Sequence, residues 1–161
     1  MLDQITIHTA APADIPELLR QRRGMYEDMG YTDQAAINAM LSTSQEYLKQ
    51  AMHSGSFRAW LAEYENQIVA GAGLIINPWL SHPYDQQCRQ ATILNVYTDP
   101  KFRRQGIARL LMHTIIEWCR KDGLAQVSLH ASKDGRPLYE SLGFEPTSEM
   151  RLKLGELPKR P

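Results

Sequence analysis

Val96-Tyr97-Thr98-Asp99-Pro100-Lys101-Phe102-Arg103-Arg104-Gln105-Gly106-Ile107-Ala108-Arg109 joins an apolar strand to an amphipathic helix through a basic turn. The first turn of any helix leaves main-chain N–H groups unpaired, and the helix dipole adds partial positive charge there. Such a junction can bind a pyrophosphate through the main chain alone. Gly106 and Ala108 leave room for phosphates to come close. Taken by itself, the string R-x-x-G-x-A reads first as an ordinary strand-to-helix connection with solvated arginines, so its surroundings have to decide.

Downstream, Ile107, Leu110, Leu111, Thr114, Ile115, Trp118 and Cys119 follow the spacing of a buried helical stripe, which predicts a helix from Arg104 to Lys121 stopped by Gly123. Val127, Leu129 and Ala131 alternate with Gln126, Ser128 and His130 as in a strand. A short helix from Asp134 to Leu142 follows, closed by Gly143, and Phe144 to Leu154 reads as a returning strand.

Upstream, Phe57 to Tyr64 and Gln67 to Ile76 flank Glu65-Asn66, a connection short enough to close an antiparallel hairpin. Ile5 to Thr9 is a short β-branched run, and Asp14 with Glu17 can form a capping box for a helix from Ile15 to Tyr26. Thr32 or Asp33 can cap a second helix carrying Ile37, Met40, Leu41, Tyr47 and Leu48. Asn77 to Gln90, with Pro78 and Pro83, reads as a loop, and the strand before the basic turn spans Ala91 to Thr98. The chain's Pro-containing end is Leu157 to Pro161.

A length of 161 residues predicts one domain spanning residues 1–161. Lys plus Arg and Asp plus Glu both number 18, so the formal net charge is zero, which argues against a nucleic-acid groove or a polybasic membrane anchor. No apolar run approaches the roughly 18 residues of a membrane span. Cys88 and Cys119 lack metal-ligand spacing, and the five histidines are dispersed, so no metal site is expected. Reduced thiols and the absence of a leader pattern point to a cytoplasmic protein.

About thirty residues after the basic turn stands Arg136-Pro137-Leu138-Tyr139-Glu140-Ser141-Leu142-Gly143-Phe144. Together the two segments resemble the GNAT superfamily of acetyltransferases. Its pyrophosphate motif Q/R-x-x-G-x-G/A is matched by Arg103, Gly106 and Ala108, and its Y-x-x-x-G-F helix ending by Tyr139, Gly143 and Phe144. The glycine spacing of a dinucleotide fold and the Gly-Lys-Ser/Thr of a P-loop are both absent.

The resemblance implies a mixed α/β fold, with a central, mostly antiparallel, twisted sheet of about six to seven strands, about four helices, and strands four and five splayed. It implies acetyl-coenzyme A as acyl donor, its pantetheine arm lying in the splay beside Val96, Tyr97 and Thr98. The amides of Arg104, Gln105, Gly106, Ile107, Ala108 and Arg109 would hold the pyrophosphate, with charge added by Arg103 and Arg104. Ser132 stands where many relatives have an asparagine that bonds the pantetheine arm. Tyr139 occupies the place of the tyrosine that protonates the leaving thiolate; its other reading is a core aromatic beside Phe144.

An amine must lose a proton to react, and relatives often supply a glutamate on the fourth or fifth strand. None occurs from Ala91 to Thr98 or from Gln126 to Ala131. His130, Glu27, Asp28 and Glu63 are the substitutes, with a water relay preferred. Met25, Tyr26, Met29, Tyr31, Trp79, Tyr84, Asn95 and His130 are the candidate acceptor-side residues, the apolar ones equally readable as packing. The expected acceptor is a small primary amine or an amino-acid-like metabolite. Alternatives are a non-catalytic coenzyme A sensor or scaffold, a protein or peptide N-acetyltransferase, and transfer of a longer acyl group. The resemblance leaves room for a homodimer.

Overall fold

A computed structural model describes residues 1–155; Leu157 to Pro161 lies outside the described residues. Five strands form one sheet in the order β1 (Thr6–Thr9), β2 (Phe57–Tyr64), β3 (Gln67–Pro78), β4 (Arg89–Thr98) and β5 (Val127–Leu129). The first four run antiparallel to their neighbours, and β4 pairs with β5 in parallel. Helices α1 (Ile15–Asp28) and α2 (Gln34–Ser54) cover one face. Helix α3 (Ile107–Lys121) covers the other, and the short α4 (Arg136–Ser141) joins it there.

The β2–β3 hairpin turns at Glu65 and Asn66, with φ of 48° and 62°. Two left-handed residues in succession match the twist of paired strands, as a two-residue hairpin loop requires. Both faces of β2 and β3 are buried over most of their length, because helices lie above and below them. Ile107, Leu111, Ile115 and Cys119 recur one helical turn apart on α3 and are all buried against the sheet. Ile15, Leu18, Leu48 and Ala51 fill the opposite core with Phe57 and Leu61. Asp33 caps α2 by accepting from the Ala36 N–H at 3.0 Å. Asp14 instead accepts from Ala11 N–H at 2.7 Å, and Glu17 bonds Arg20 and Gln21, so the expected capping box does not form on α1.

Several features differ from the sequence reading. Helix α3 starts at Ile107 rather than Arg104, because Arg104 and Gly106 are left-handed, at φ 61° and 85°. The predicted loop from Asn77 to Gln90 is shorter, as β3 runs on to Pro78 and β4 starts at Arg89. No sixth strand forms among the described residues: beyond Phe144 the chain is unpaired, and Met150, Leu152 and Leu154 are 95%, 80% and 91% exposed. Alternation alone specifies which face each side chain takes once paired; it does not supply a partner edge, and β5 offers a short one. Cys88 is exposed and Cys119 buried, both free. No helix among the described residues is long and apolar enough to cross a membrane.

Candidate functional site

The N-terminus of α3 opens toward solvent beside β4. Gly106 is its N-cap, and no side chain caps it. From Arg104 to Arg109, no main-chain N–H has an acceptor among the described residues. The left-handed geometry of Arg104 and Gly106 keeps these amides from turning back on their own chain. A Cβ on Gly106 would point at Leu2, 3.2 Å from its Cδ1, so the glycine is needed here for its backbone angle more than for space on the amide side.

The arginines around this turn divide. Arg103 is bound within the protein: its Nε donates to the Thr98 carbonyl at 2.9 Å, it pairs with Asp28, and its guanidinium lies 5.6 Å from the Tyr97 ring centroid. It braces the turn against α1. Arg104 and Arg109 have no carboxylate partner among the described residues, although Arg109 donates to Ser141 Oγ at 2.9 Å. Gln105 donates to the Lys101 carbonyl at 3.1 Å. The run of free amides with Arg104 and Arg109 beside it fits an extended polyanion such as the pyrophosphate of coenzyme A.

Next to this turn the sheet comes apart. Ala91, Thr92 and Ile93 pair with Val127, Ser128 and Leu129, and pairing ends there. A bulge in β4 follows, at the register shift opposite Gly71 and Gly73, with Asn95 at φ 53°. One extra residue reverses the alternation. Ile93 and Val96 therefore both pack toward α3, whereas Leu94 packs into the α1/α2 core and Tyr97 reaches Gly24 of α1. Burial, then Asp28 and Asp99, push the Tyr97 phenol up from its ordinary pKa.

Tyr139 projects from α4 into the α3-side core at 9% exposure, its ring edge-on to Phe144 at 6.0 Å. A Cβ on Gly135 would come within 2.8 Å of the Tyr139 ring, so this glycine, which the sequence reading passed over, admits the ring. The Tyr139 hydroxyl has no hydrogen-bond partner among the described residues. Burial raises its pKa, so the phenol keeps its proton at neutral pH. Ser132 Oγ accepts from Gly135 N–H at 3.1 Å and its carbonyl from Arg136 N–H at 3.0 Å, which ties it to the start of α4 and leaves its hydroxyl proton available.

On the other face of β4, Arg22 of α1 donates to Asn95 Oδ1 at 2.6 Å. Tyr26 and Tyr31 meet edge-to-face at 5.3 Å nearby, with Met25 half-buried beside them. Trp79 and Tyr84 do not join this group. Both are exposed, and Trp79 N–H bonds the Cys88 carbonyl at the Arg89 end of β4, roughly 20 Å from Asn95 at about 3.3 Å per residue. Among the substitute bases, Asp28 is held by Arg103, Glu27 faces Arg23, and Glu63 sits on β2 opposite Thr6, with β3 between it and β4. His130 follows β5 directly at the splay, in contact with Arg151 Nη2 at 3.3 Å. Arg22 was missed because nothing local connects it with a residue 73 positions away.

A family profile described as an acetyltransferase (GNAT) domain matches residues 25–155. The crystal structure of a GCN5-related N-acetyltransferase from Ralstonia eutropha JMP134 is similar at TM-score 0.85 and 30% identity, over 93% of this chain and 98% of that one. A predicted acetyltransferase from Clostridium acetobutylicum, solved with acetyl-CoA, gives TM-score 0.83 and 28% identity over 94% and 96% of the two chains. Human N-acetyltransferase 8 is 27% identical over 124 residues, covering 74% of this chain and 50% of that protein. The chain thus spans about half the length of the first curated relatives it matches.

Proposed function

The chain belongs to the acetyltransferase (GNAT) family, and from that premise we propose that it is a single domain transferring an acetyl group from acetyl-coenzyme A to a primary amine of a small or amino-acid-like molecule. The observation that carries this reading is the row of unpaired amides from Arg104 to Arg109 beside the opened β4–β5 pair. These amides, with Arg104 and Arg109, hold the pyrophosphate. The main chain of Val96, Tyr97 and Thr98, left without β5, takes the pantetheine arm, and Ser132 donates one bond to it.

The donor supplies an activated acyl carbon. A neutral amine attacks it directly, an N–H of β4 stabilises charge gathering on the carbonyl oxygen, and the carbon–sulfur bond breaks without an acyl-enzyme. Tyr139, neutral and free of other hydrogen bonds, gives its proton to the departing sulfur. The amine's proton leaves by water, with His130 at the mouth of the splay as the side chain placed to receive it. Reduced Cys88 and Cys119 suit a cytoplasmic setting. A homodimer would have Met150, Leu152 and Leu154 as apolar surface, a point for equilibrium sedimentation.

A coenzyme A sensor is the second reading, favoured by the lack of any carboxylate from Ala91 to Thr98. Titration calorimetry with acetyl-coenzyme A, against coenzyme A and ATP at one salt concentration, is expected to give binding of the thioester without ATP binding. Amine-dependent release of free thiol then separates enzyme from sensor. Failure to bind the thioester would end both readings.

A further inference from the structure

Arg22 differs from the arginines around it on α1. Arg20 is bonded to Glu17 and Asp99, and Arg23 faces Glu27, whereas Arg22 has no carboxylate partner among the described residues. Its Nη1 donates to Asn95 Oδ1 at 2.6 Å, its Nη2 reaches the Tyr26 hydroxyl only at 3.5 Å, and its Nε is buried with no acceptor. The guanidinium stacks 5.1 Å from the Tyr26 ring centroid. A half-buried cation without a counter-charge is costly to hold, and the partner its planar fork fits best is a carboxylate.

We propose that Arg22 binds the carboxylate of the acceptor, which makes the acceptor class an amine bearing a carboxylate close by, as in α- and β-amino acids. This rests on the acetyl-transfer reading above. Arg22 grips Asn95, the bulge residue next to Val96, and an arm running from the Arg104–Arg109 turn along Thr98 and Tyr97 to Val96 ends with its acyl carbon at that bulge. The attacking nitrogen must come within about 3–3.5 Å of that carbon. A carboxylate held on Arg22 leaves its own amine within that reach, whereas an acid group at the end of a long chain would carry the amine past it. Arg22 also lies on the α1 face of β4, with Tyr139 on the α3 face, so acceptor and leaving-group acid occupy opposite sides of the thioester. The Tyr26–Tyr31 pair walls the acceptor's remaining side chain.

The test compares leucine, leucinamide and 3-methylbutylamine, and the same trio built on phenylalanine, each at equal concentration of neutral amine. The wild type is expected to favour the acids by about tenfold or more in kcat/KM. Arg22→Gln should lower the acid value by about the same factor and bring the acid-to-amine ratio near one, with Arg22→Lys between them. Calorimetric affinity for acetyl-coenzyme A and the melting temperature report whether the bulge survives. An unchanged ratio in Arg22→Gln, or an equal loss for acids, amides and amines in both variants, would overturn the assignment and leave Arg22 as a brace for Asn95. Thiol release with none of the amines in the wild type would instead overturn the transfer reading itself.

Discussion

At the scale of single residues, Tyr139 has a ring held by Gly135 and Phe144 and, beyond what packing requires, a hydroxyl with no partner among the described residues. Removing that oxygen leaves no buried group unsatisfied, so Tyr139→Phe should melt at nearly the wild-type temperature and bind acetyl-coenzyme A normally. Its kcat should fall by about 10²–10³. Because burial raises the phenol above its usual pKa of 10.0, wild-type kcat should show no alkaline loss from this group until the pH passes that value. A stopped assay of thiol release across pH 7–10 checks both points. Tyr139 and the amides of the basic turn were legible in the sequence, because each belongs to a contiguous string whose order fixes its place. Arg22 was not, since its partner Asn95 is brought to it only by packing of α1 on the sheet.

At the scale of elements, the bulge in β4 sets which residues face which helix. Deleting Asn95 would remove the extra residue and make the pairing with β3 regular, leaving Val96 on the α3 face and Tyr97 on the α1 face but straightening the strand where it leaves β5. The deletion variant is expected to melt cooperatively but to lose acetyl-coenzyme A affinity, because without its bulge β4 no longer bends away from β5. Asn95→Gly, which keeps the left-handed angle, should retain both, as calorimetry and circular dichroism would register. The apolar run Ala91 to Thr98 announces a strand but not its bulge, since a residue in the left-handed region leaves little trace in composition. The C-terminal segment fails in the opposite sense: Met150, Leu152 and Leu154 alternate as a strand should, yet pairing is a property of two segments and the edge of β5 is only three residues long.

At the scale of the whole molecule, the fold holds several acidic groups in their neutral forms. Burial pushes the Cys119 thiol from 9.0 up to about 11, and the phenols of Tyr97 and Tyr139 are raised as well. The unfolded chain therefore gives up these protons at lower pH than the native one. The stability they confer is complete below pH 9 and declines as the pH rises toward 11, the tyrosines extending the loss upward. Urea melts from pH 7 to 11 should show a falling midpoint above pH 9, and Cys119→Ala should reduce the slope of that fall.

A binding site made of main-chain amides cannot be erased by exchanging side chains, because every amino acid but one carries the same N–H. Apart from Gly106, which the left-handed angle requires, the turn from Arg104 to Arg109 can thus drift in sequence and keep its grip, and its vulnerable substitution is proline. Proline is tolerated in the first turn of a helix, so Ala108→Pro should fold as the wild type does while deleting one donor from the row. The resulting loss in acetyl-coenzyme A affinity, expected at about tenfold, would be a mutation of the backbone itself, visible by calorimetry.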